Sequence, residues 1–202
     1  MKLVGMLDSP YVRRVAISLD LLGVEFEHDP LSVFRTFEAF SRINPVVKAP
    51  TLVLDDGSVL MDSTLIIDYF ETFSAPDRKL LPQQPQALAK ALRTLGLALA
   101  ACEKAVQIVY ERNLRPEEKR HSPWVERVSH QLLAACTELD GLCAAQPSPG
   151  ERPDQAALTT AVAWSFMQLM LPDVVKADDF PALQAHAVRL EQTDLFKRYP
   201  IT

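Results

Sequence analysis

Hydrophobic and polar positions follow two different patterns along the chain, and the change falls near residue 80. Before that point, short apolar runs predict four strands, at 2–6, 24–28, 51–54 and 58–61. Helical patterns predict one helix over 10–22, ending at Gly23, and another over 62–73. The less regular segment 32–42 predicts a short helix. The order is β-α-β and then, after the short helix, β-β-α. It predicts a small mixed sheet covered by helices.

Beyond a proline-containing linker at 74–86 the pattern is helical throughout. A seam of apolar residues spaced by four and three predicts one long helix: Leu88, Leu92, Leu95, Leu99, Cys102, Val106 and Val109. A bundle is favoured over a coiled coil because this regularity occurs in one seam. Further helices are predicted over 124–142, over 154–171 (apolar nearly all round, hence central) and over 181–192, with a loop at Pro147–Gly150. The prediction is α+β overall, with an α+β domain at 1–75 and an all-α bundle at 86–202.

Composition narrows the classes of function. The charge is −5, from 21 basic and 26 acidic residues, which disfavours nucleic acid as a partner. No apolar run approaches the roughly 18 residues of a membrane helix, and the amino-terminal apolar stretch is too short for a signal peptide, so we expect a cytoplasmic protein. The 3 cysteines and 4 histidines have no ligand spacing, so we expect reduced, buried thiols and no metal site.

The stretch from Asn44 to Ser63 carries the strongest binding signal. Pro50 opens a predicted strand, and a cis Ala49–Pro50 bond would leave the backbone N–H and C=O of Ala49 free to pair with an extended peptide. The hairpin then returns the chain to Asp62 and Ser63, which open a helix with unpaired N–H groups. We interpret this stretch as a site for a peptide-sized anion.

Four motifs fall in a familiar order: Ser9-Pro10-Tyr11-Val12-Arg13-Arg14, Asn44-Pro45, Lys48-Ala49-Pro50-Thr51-Leu52 and Asp62-Ser63. With the helical second half, they make the chain resemble the glutathione transferase family, most closely its bacterial members with a serine in the first loop. The resemblance is strongest over 1–73. It implies a thioredoxin-like βαβαββα first domain, glutathione as co-substrate, a homodimer, and an electrophile pocket to which the helical domain contributes. The chain departs from the family at Val47 (usually glycine), Asp62 (usually glutamate) and Ala157 (often aspartate), so Asp154 is expected to cap its helix alone.

Ser9 has two possible roles. Followed by Pro10, it is a good helix N-cap by itself. The resemblance implies in addition that its hydroxyl stabilises the glutathione thiolate. A Ser-His-Asp hydrolase is disfavoured because no G-x-S-x-G sequence is present.

The resemblance also assigns the remaining site residues. The backbone of Ala49, beside Pro50, would pair with the cysteinyl part of glutathione. Asp62 and Ser63 would hold its γ-glutamyl amine and carboxylate. Lys48 would either meet the glycyl carboxylate or remain solvated. The predicted electrophile contacts are Tyr11, Tyr110 and Arg112. Trp164 and Phe166 are predicted to be core residues. Arg13 and Arg14 are predicted to face solvent or a dimer partner.

The sequence thus predicts a glutathione transferase that attacks a small hydrophobic electrophile. Thiol–disulfide exchange is disfavoured because serine stands where that chemistry needs a cysteine. Two alternatives remain open. One is a glutathione-binding or protein-interaction member of the fold with little or no catalysis. The other is a glutathione-dependent isomerase or dehalogenase.

Overall fold

A four-stranded sheet of order β2-β1-β3-β4 forms the centre of the first part of the chain. In the computed structural model, which describes residues 1–145 and 152–201, the strands are β1 (Lys2–Val4), β2 (Glu27–Asp29), β3 (Thr51–Val53) and β4 (Val59–Met61). β1 runs parallel to β2 and antiparallel to β3, and β3 runs antiparallel to β4. This is the mixed sheet expected from the sequence. The observed strands are shorter than the apolar runs, and β2 starts at Glu27, after Val24 and Phe26 have packed against the core.

Three helices belong with the sheet: α1 (Pro10–Leu22), α2 (Phe37–Ile43) and α3 (Ser63–Phe73). The ends of α1 are set locally. Ser9 is the N-cap, and Gly23 ends the helix in the left-handed conformation with φ 75°. The apolar face of α1, formed by Val12, Val15 and Leu19, packs into one core with residues of the strands and of α3. These are Leu3, Leu52 and Ile66. This part of the chain is a thioredoxin-like domain.

The helical part contains α4 (Pro85–Asn113), α5 (Ser122–Ala145), α6 (Gln155–Met170) and α7 (Pro181–Glu191). The chain divides into two compact units with the boundary after Leu80, which is itself buried. As predicted, α6 is buried almost all round, with Trp164 and Phe166 in the core. The predicted loop Pro147–Gly150 lies outside the described residues. None of the helices in the described part of the chain is long and apolar enough to cross a membrane.

The buried stripe of α4 differs from the predicted leucine seam. Small residues dominate it, with Ala91, Ala98 and Ala105 buried, whereas Leu92 is 46% exposed. Small side chains let neighbouring helices approach closely, because the distance between helix axes depends on the residues at the contact. The predicted helical periodicity of α4 is correct, but the buried stripe is rotated away from part of the predicted seam, so that Leu92 lies on the exposed side.

Helix ends in the second unit are capped both locally and from a distance. Asp154 caps α6 by accepting a hydrogen bond from the N–H of Ala157 at 2.7 Å, which confirms its predicted capping role. No neighbouring side chain caps α7. Instead Asp140 Oδ1, on α5, accepts from both Ala182 N and Leu183 N at 2.8 Å.

The last residues of the chain group with the first unit, although the sequence assigned them to the second domain. After the short helix α8 (Asp194–Lys197), Asp20 of α1 accepts two hydrogen bonds from Arg198 at 3.0 Å and one from the Tyr199 hydroxyl at 2.9 Å. The Tyr199 ring stacks on Phe26 with 6.1 Å between centroids. Burial above all raises the pKa of Tyr199 to about 12. Only long-range contacts hold the carboxyl-terminal residues against α1 and Phe26, so no local sequence pattern predicts this arrangement.

His186 is a buried histidine of α7. Its Nε2 lies 2.9 Å from the carbonyl oxygen of Ala157, which can only accept, so Nε2 carries the proton. Burial lowers the pKa of His186, and the nearby Arg189 acts in the same direction, while the bond to Ala157 opposes them. The neutral imidazole is therefore the form that the folded helical unit accommodates.

We predict that acid destabilises the helical unit through His186. Below about pH 6.5 the unfolded chain binds a proton that the folded chain takes up only at lower pH. The stability that depends on neutral His186 is therefore fully present above about pH 6.5 and is lost as the pH falls towards the lowered pKa. Denaturant unfolding of the wild type and of His186→Gln between pH 7.5 and pH 5, roughly spanning the ordinary histidine pKa, measures the effect.

The wild type should lose more stability than His186→Gln across that interval. His130→Gln, which replaces an exposed histidine of the same unit, is the matched control. An equal pH slope in the wild type and His186→Gln would contradict the assignment.

Candidate functional site

The register of the sheet brings three loop segments to one edge. Val4, the last residue of β1, pairs with Thr51, the first residue of β3, and Thr51 pairs in turn with Met61, the last residue of β4. The chain after β1, the chain before β3 and the chain after β4 therefore meet at that edge. These are the segments that contain Ser9, Lys48 to Pro50, and Asp62 with Ser63.

Gly5 shows how closely the first two segments approach. Its φ is +138°, and a Cβ added there would lie 2.6 Å from Val12 Cγ2 and 3.1 Å from Ala49 Cβ. A side chain at this position would therefore collide with the first turn of α1 and crowd Ala49. Sequence reasoning missed Gly5; the available signal was a glycine inside the strand predicted over 2–6.

The Ala49–Pro50 bond before β3 is cis, which is the condition on which the sequence interpretation of this loop rests. Within residues 1–145 and 152–201, neither the N–H nor the C=O of Ala49 makes a hydrogen bond. A buried asparagine holds the loop: Asn44 Oδ1 accepts from Val46 N at 3.0 Å, and Asn44 Nδ2 donates to Thr51 Oγ1 at 2.9 Å. Thr51 Oγ1 in turn donates to the carbonyl of Lys48 at 2.7 Å. The unpaired backbone of Ala49 is thus carried on a loop fixed from both ends.

Asp62 and Lys48 form an ion pair at the same edge. Asp62, with φ 70°, caps α3 through Oδ1, which accepts from Thr64 N at 2.9 Å. Its Oδ2 lies 3.9 Å from Lys48 Nζ, and both side chains are about half exposed. Such an exposed pair contributes roughly 0–1 kcal/mol, so it yields readily to a competing ligand.

Ser63 is buried and accepts a hydrogen bond from Arg14 Nη1 at 2.8 Å. A second bond, of 3.2 Å, runs from Arg14 Nη1 to Thr64 Oγ1. The prediction that Arg13 and Arg14 face solvent or a dimer partner is wrong, since they are 0% and 1% exposed. Arg13 Nε donates to the carbonyl of Tyr199 at 2.7 Å, and its guanidinium lies over the ring of Phe196. The first helix turns both cations inward, and local charge patterning cannot reveal such long-range partners.

The Ser9 hydroxyl accepts a long hydrogen bond of 3.4 Å from Val12 N, so the helix-capping role is confirmed. Accepting that bond leaves the hydroxyl proton able to donate to another group. Beside it, partial burial raises the pKa of Asp8, while the N–H of Ser9 and the charge of Arg35 oppose the shift. Capping and a donor role are therefore compatible in Ser9.

The remaining predicted residues lie in different parts of the chain. Tyr11 is half-buried on α1, whereas Tyr110 and Arg112 lie near the end of α4 in the second unit. Partial burial raises the pKa of the Tyr110 hydroxyl. Arg112 donates two hydrogen bonds to Asp173, of 2.9 and 2.8 Å, which raise the pKa of Arg112 and lower that of Asp173. In the described ranges, no group of three histidine, cysteine or acidic residues is arranged to hold a metal ion.

Fold and site together define a thioredoxin-like protein with a mostly helical second region, and comparison with known proteins narrows that class. Residues 3–77 match the family model of the glutathione S-transferase N-terminal domain. A glutathione transferase family member from Pseudomonas fluorescens, solved with bound glutathione, is similar with a TM-score of 0.82 and 27% identity over 100% of this chain and 98% of that chain.

Two curated relatives agree with this result. The chain is 31% identical over 130 residues to an uncharacterized GST-like protein of Escherichia coli, YibF, covering 59% of this chain and 64% of that protein. It is 40% identical over 91 residues to a probable maleylacetoacetate isomerase of Caenorhabditis elegans, covering 44% of this chain and 41% of that protein. The matched part thus spans less than two thirds of either relative. The chain is thus similar to glutathione transferases, over residues 3–77 in the family model and over its whole length in the solved structure.

Val47, where many family members have glycine, provides a test of backbone strain in the binding loop. Its φ is 51°, in the left-handed region that is costly for a β-branched residue, by roughly 1–2 kcal/mol. Glycine would relieve that cost but gains about 0.5–1 kcal/mol of freedom in the unfolded chain. We predict that Val47→Gly raises the free energy of unfolding by up to about 1 kcal/mol, measured by denaturant titration.

The matched control is Val46→Gly, because Val46 is the preceding valine, is exposed, and has no positive φ. That variant should lose about 0.5–1 kcal/mol. Equal losses in the two variants would contradict the strain at Val47.

Proposed function

We propose that this protein is a glutathione transferase that binds glutathione at the edge of its sheet and activates the thiol through Ser9. The observation that carries the proposal is the unpaired backbone of Ala49. It lies at the edge where the chain also places Ser9 and the start of α3. The match of residues 3–77 to the glutathione S-transferase N-terminal domain, and a similar protein solved with bound glutathione, support the choice of ligand.

The proposed binding mode matches each part of the tripeptide with a group of the site. The cysteinyl backbone pairs with the N–H and C=O of Ala49 in the manner of an added strand. The γ-glutamyl carboxylate accepts hydrogen bonds from Ser63 at the start of α3, where the helix dipole favours an anion. Its ammonium group replaces Lys48 beside Asp62. The released Lys48 is then available for the glycyl carboxylate.

The Ser9 hydroxyl and the helix dipole can supply the energy that activation needs. A thiol of pKa about 8.5 is mostly protonated at neutral pH, and lowering its pKa by about two units takes roughly 2.7 kcal/mol. A hydrogen bond to a charged group contributes about 1.5–3 kcal/mol, and the start of α1 adds about 0.3–1 kcal/mol. No histidine or carboxylate base is required for thiolate formation.

The thiolate would then attack a small hydrophobic electrophile. The predicted contacts of that second substrate are Tyr11, Tyr110 and Arg112. A homodimer in the cytoplasm is the proposed working form, on the strength of family resemblance. Conjugation forms one carbon–sulfur bond, and the electrophile's leaving group departs with the electron pair of the bond that breaks.

Substitutions at Ser9 separate capping from catalysis. Ser9→Gly keeps a good N-cap residue and removes the hydroxyl, whereas Ser9→Thr keeps both. We predict that Ser9→Gly lowers turnover of an activated aryl chloride by about tenfold or more and raises the pKa of bound glutathione by about one to two units. Ultraviolet absorbance of the thiolate during a pH titration measures the second effect.

Ser9→Thr should keep most of the activity. Ser9→Ala should lose activity and also about 1 kcal/mol of stability, since alanine is a poor N-cap. A glycine variant with wild-type turnover and an unchanged thiolate titration would show that Ser9 only caps α1. Wild-type protein that binds glutathione without forming thiolate would instead favour the non-catalytic alternative.

A glutathione-dependent isomerase is the second candidate, favoured by the 40% identity to a probable maleylacetoacetate isomerase. An isomerase would add the same thiolate to a conjugated cis double bond, allow rotation about the resulting single bond, and expel the thiolate again. Glutathione is therefore consumed in conjugation and regenerated in isomerisation. For a transferase we predict a stoichiometric loss of free thiol when glutathione and an aryl chloride are added. The isomerase would be favoured by two results together: cis–trans conversion of maleylacetoacetate without loss of thiol, and no reaction with the aryl chloride.

A further inference from the structure

The buried guanidinium of Arg14 is the feature from which a further role can be inferred. We propose that Arg14 is a positioning residue for the anionic end of the ligand: it fixes the Ser63 hydroxyl as a donor to the ligand carboxylate. The inference rests on the proposed function, and it adds to the site a residue whose side chain does not itself touch the ligand.

The first argument is burial. Arg14 is 1% exposed, and arginine is almost never fully buried unless its donors are satisfied. Two of its acceptors are the hydroxyl oxygens of Ser63 and Thr64, in the first turn of α3. The cation thus lies directly beneath the helix start that holds the proposed carboxylate site.

The second argument is the direction of the hydrogen bonds. A guanidinium only donates, so the Ser63 oxygen accepts from Arg14 and the hydroxyl proton must point to another acceptor. The same reasoning applies to Thr64 at 3.2 Å. A hydroxyl whose oxygen is bound to a cation is polarised and becomes a better donor to an anion. Arg14 therefore selects the donor state of Ser63 before any ligand arrives.

The third argument is charge. The start of α3 carries the positive end of the helix dipole, and Arg14 adds a full positive charge behind it. Partial burial raises the pKa of Asp68 on α3; the charge of Arg14 opposes that shift, and the Asp62 carboxylate adds to it. The helix start and the charge of Arg14 together favour a carboxylate over a neutral group at Ser63.

The neighbouring Arg13 offers a matched control. It is equally buried, but it donates to the carbonyl of Tyr199 and lies 5.3 Å from the ring centre of Phe196. Arg13→Gln and Arg14→Gln each remove one buried charge and keep an amide donor on the same helix. Arg14→Lys restores the charge with a different donor geometry.

The experiment measures calorimetric affinities for three thiols: glutathione, γ-glutamylcysteine and cysteinylglycine, the last of which lacks the γ-glutamyl group. We expect Arg14→Gln to weaken glutathione and γ-glutamylcysteine by about tenfold and cysteinylglycine by less than about twofold. Ser63→Ala should show the same discrimination, and the double variant should lose little more than Ser63→Ala alone, because both changes remove one interaction. Arg14→Lys should recover part of the loss.

Two results would overturn the inference: Arg14→Gln binding all three thiols as the wild type does, or losing affinity for all three equally. Folded Arg13→Gln should bind them like the wild type; a γ-glutamyl-selective loss there too would also count against it. If Arg14→Gln does not fold, Arg14→Lys carries the test, and wild-type affinities for all three ligands in that variant would refute the positioning role. Wild-type protein that binds no glutathione would instead refute the proposed function itself.

Discussion

Arg13 and Arg14 are consecutive residues of α1, and each extends a buried guanidinium to a different part of the first unit. Arg13 holds the carboxyl-terminal segment through the carbonyl of Tyr199, and Arg14 holds the start of α3 through Ser63 and Thr64. Removing a charge from water is costly unless hydrogen bonds replace its hydration. Each guanidinium therefore needs hydrogen-bond acceptors in the folded chain, and these contacts supply some of them. The second of these cations ties the start of α3, and with it the binding edge, to α1.

The rest of the site depends on strand register. Pairing of Val4 with Thr51 and of Thr51 with Met61 places three loop segments at one edge. A shift of one residue would turn the buried faces of these strands outward, so the hydrophobic core fixes the register and the register fixes the site. Gly5 then allows the first loop to lie against Ala49 without a side chain between them. The binding edge is thus a consequence of core packing, with polar groups added where the chain reverses.

Much of this arrangement was predictable because its signals are local. The boundaries of α1 follow from Ser9, Pro10 and Gly23, each acting within one turn of the helix. Asn44 to Ser63 was likewise recognisable, since a proline before a strand and an Asp-Ser pair before a helix carry their meaning in sequence. The leucine seam of α4 was only partly placed, because periodicity gives a helix face and packing partners decide how far that face extends.

The sequence by itself determined the alternation of elements, the division near residue 80, the local caps of α1 and α6 and the candidate residues Ser9, Ala49, Asp62 and Ser63. Tertiary structure alone decided where the charged side chains went. Arg13 and Arg14 look like a solvated pair in sequence, and their acceptors lie about fifty residues away on α3 or at the far end of the chain. Asp140 capping α7 and Tyr199 docking on α1 follow the same rule. Apolar burial repeats along an element, whereas a buried polar group needs a specific partner, and only the folded chain brings that partner within reach.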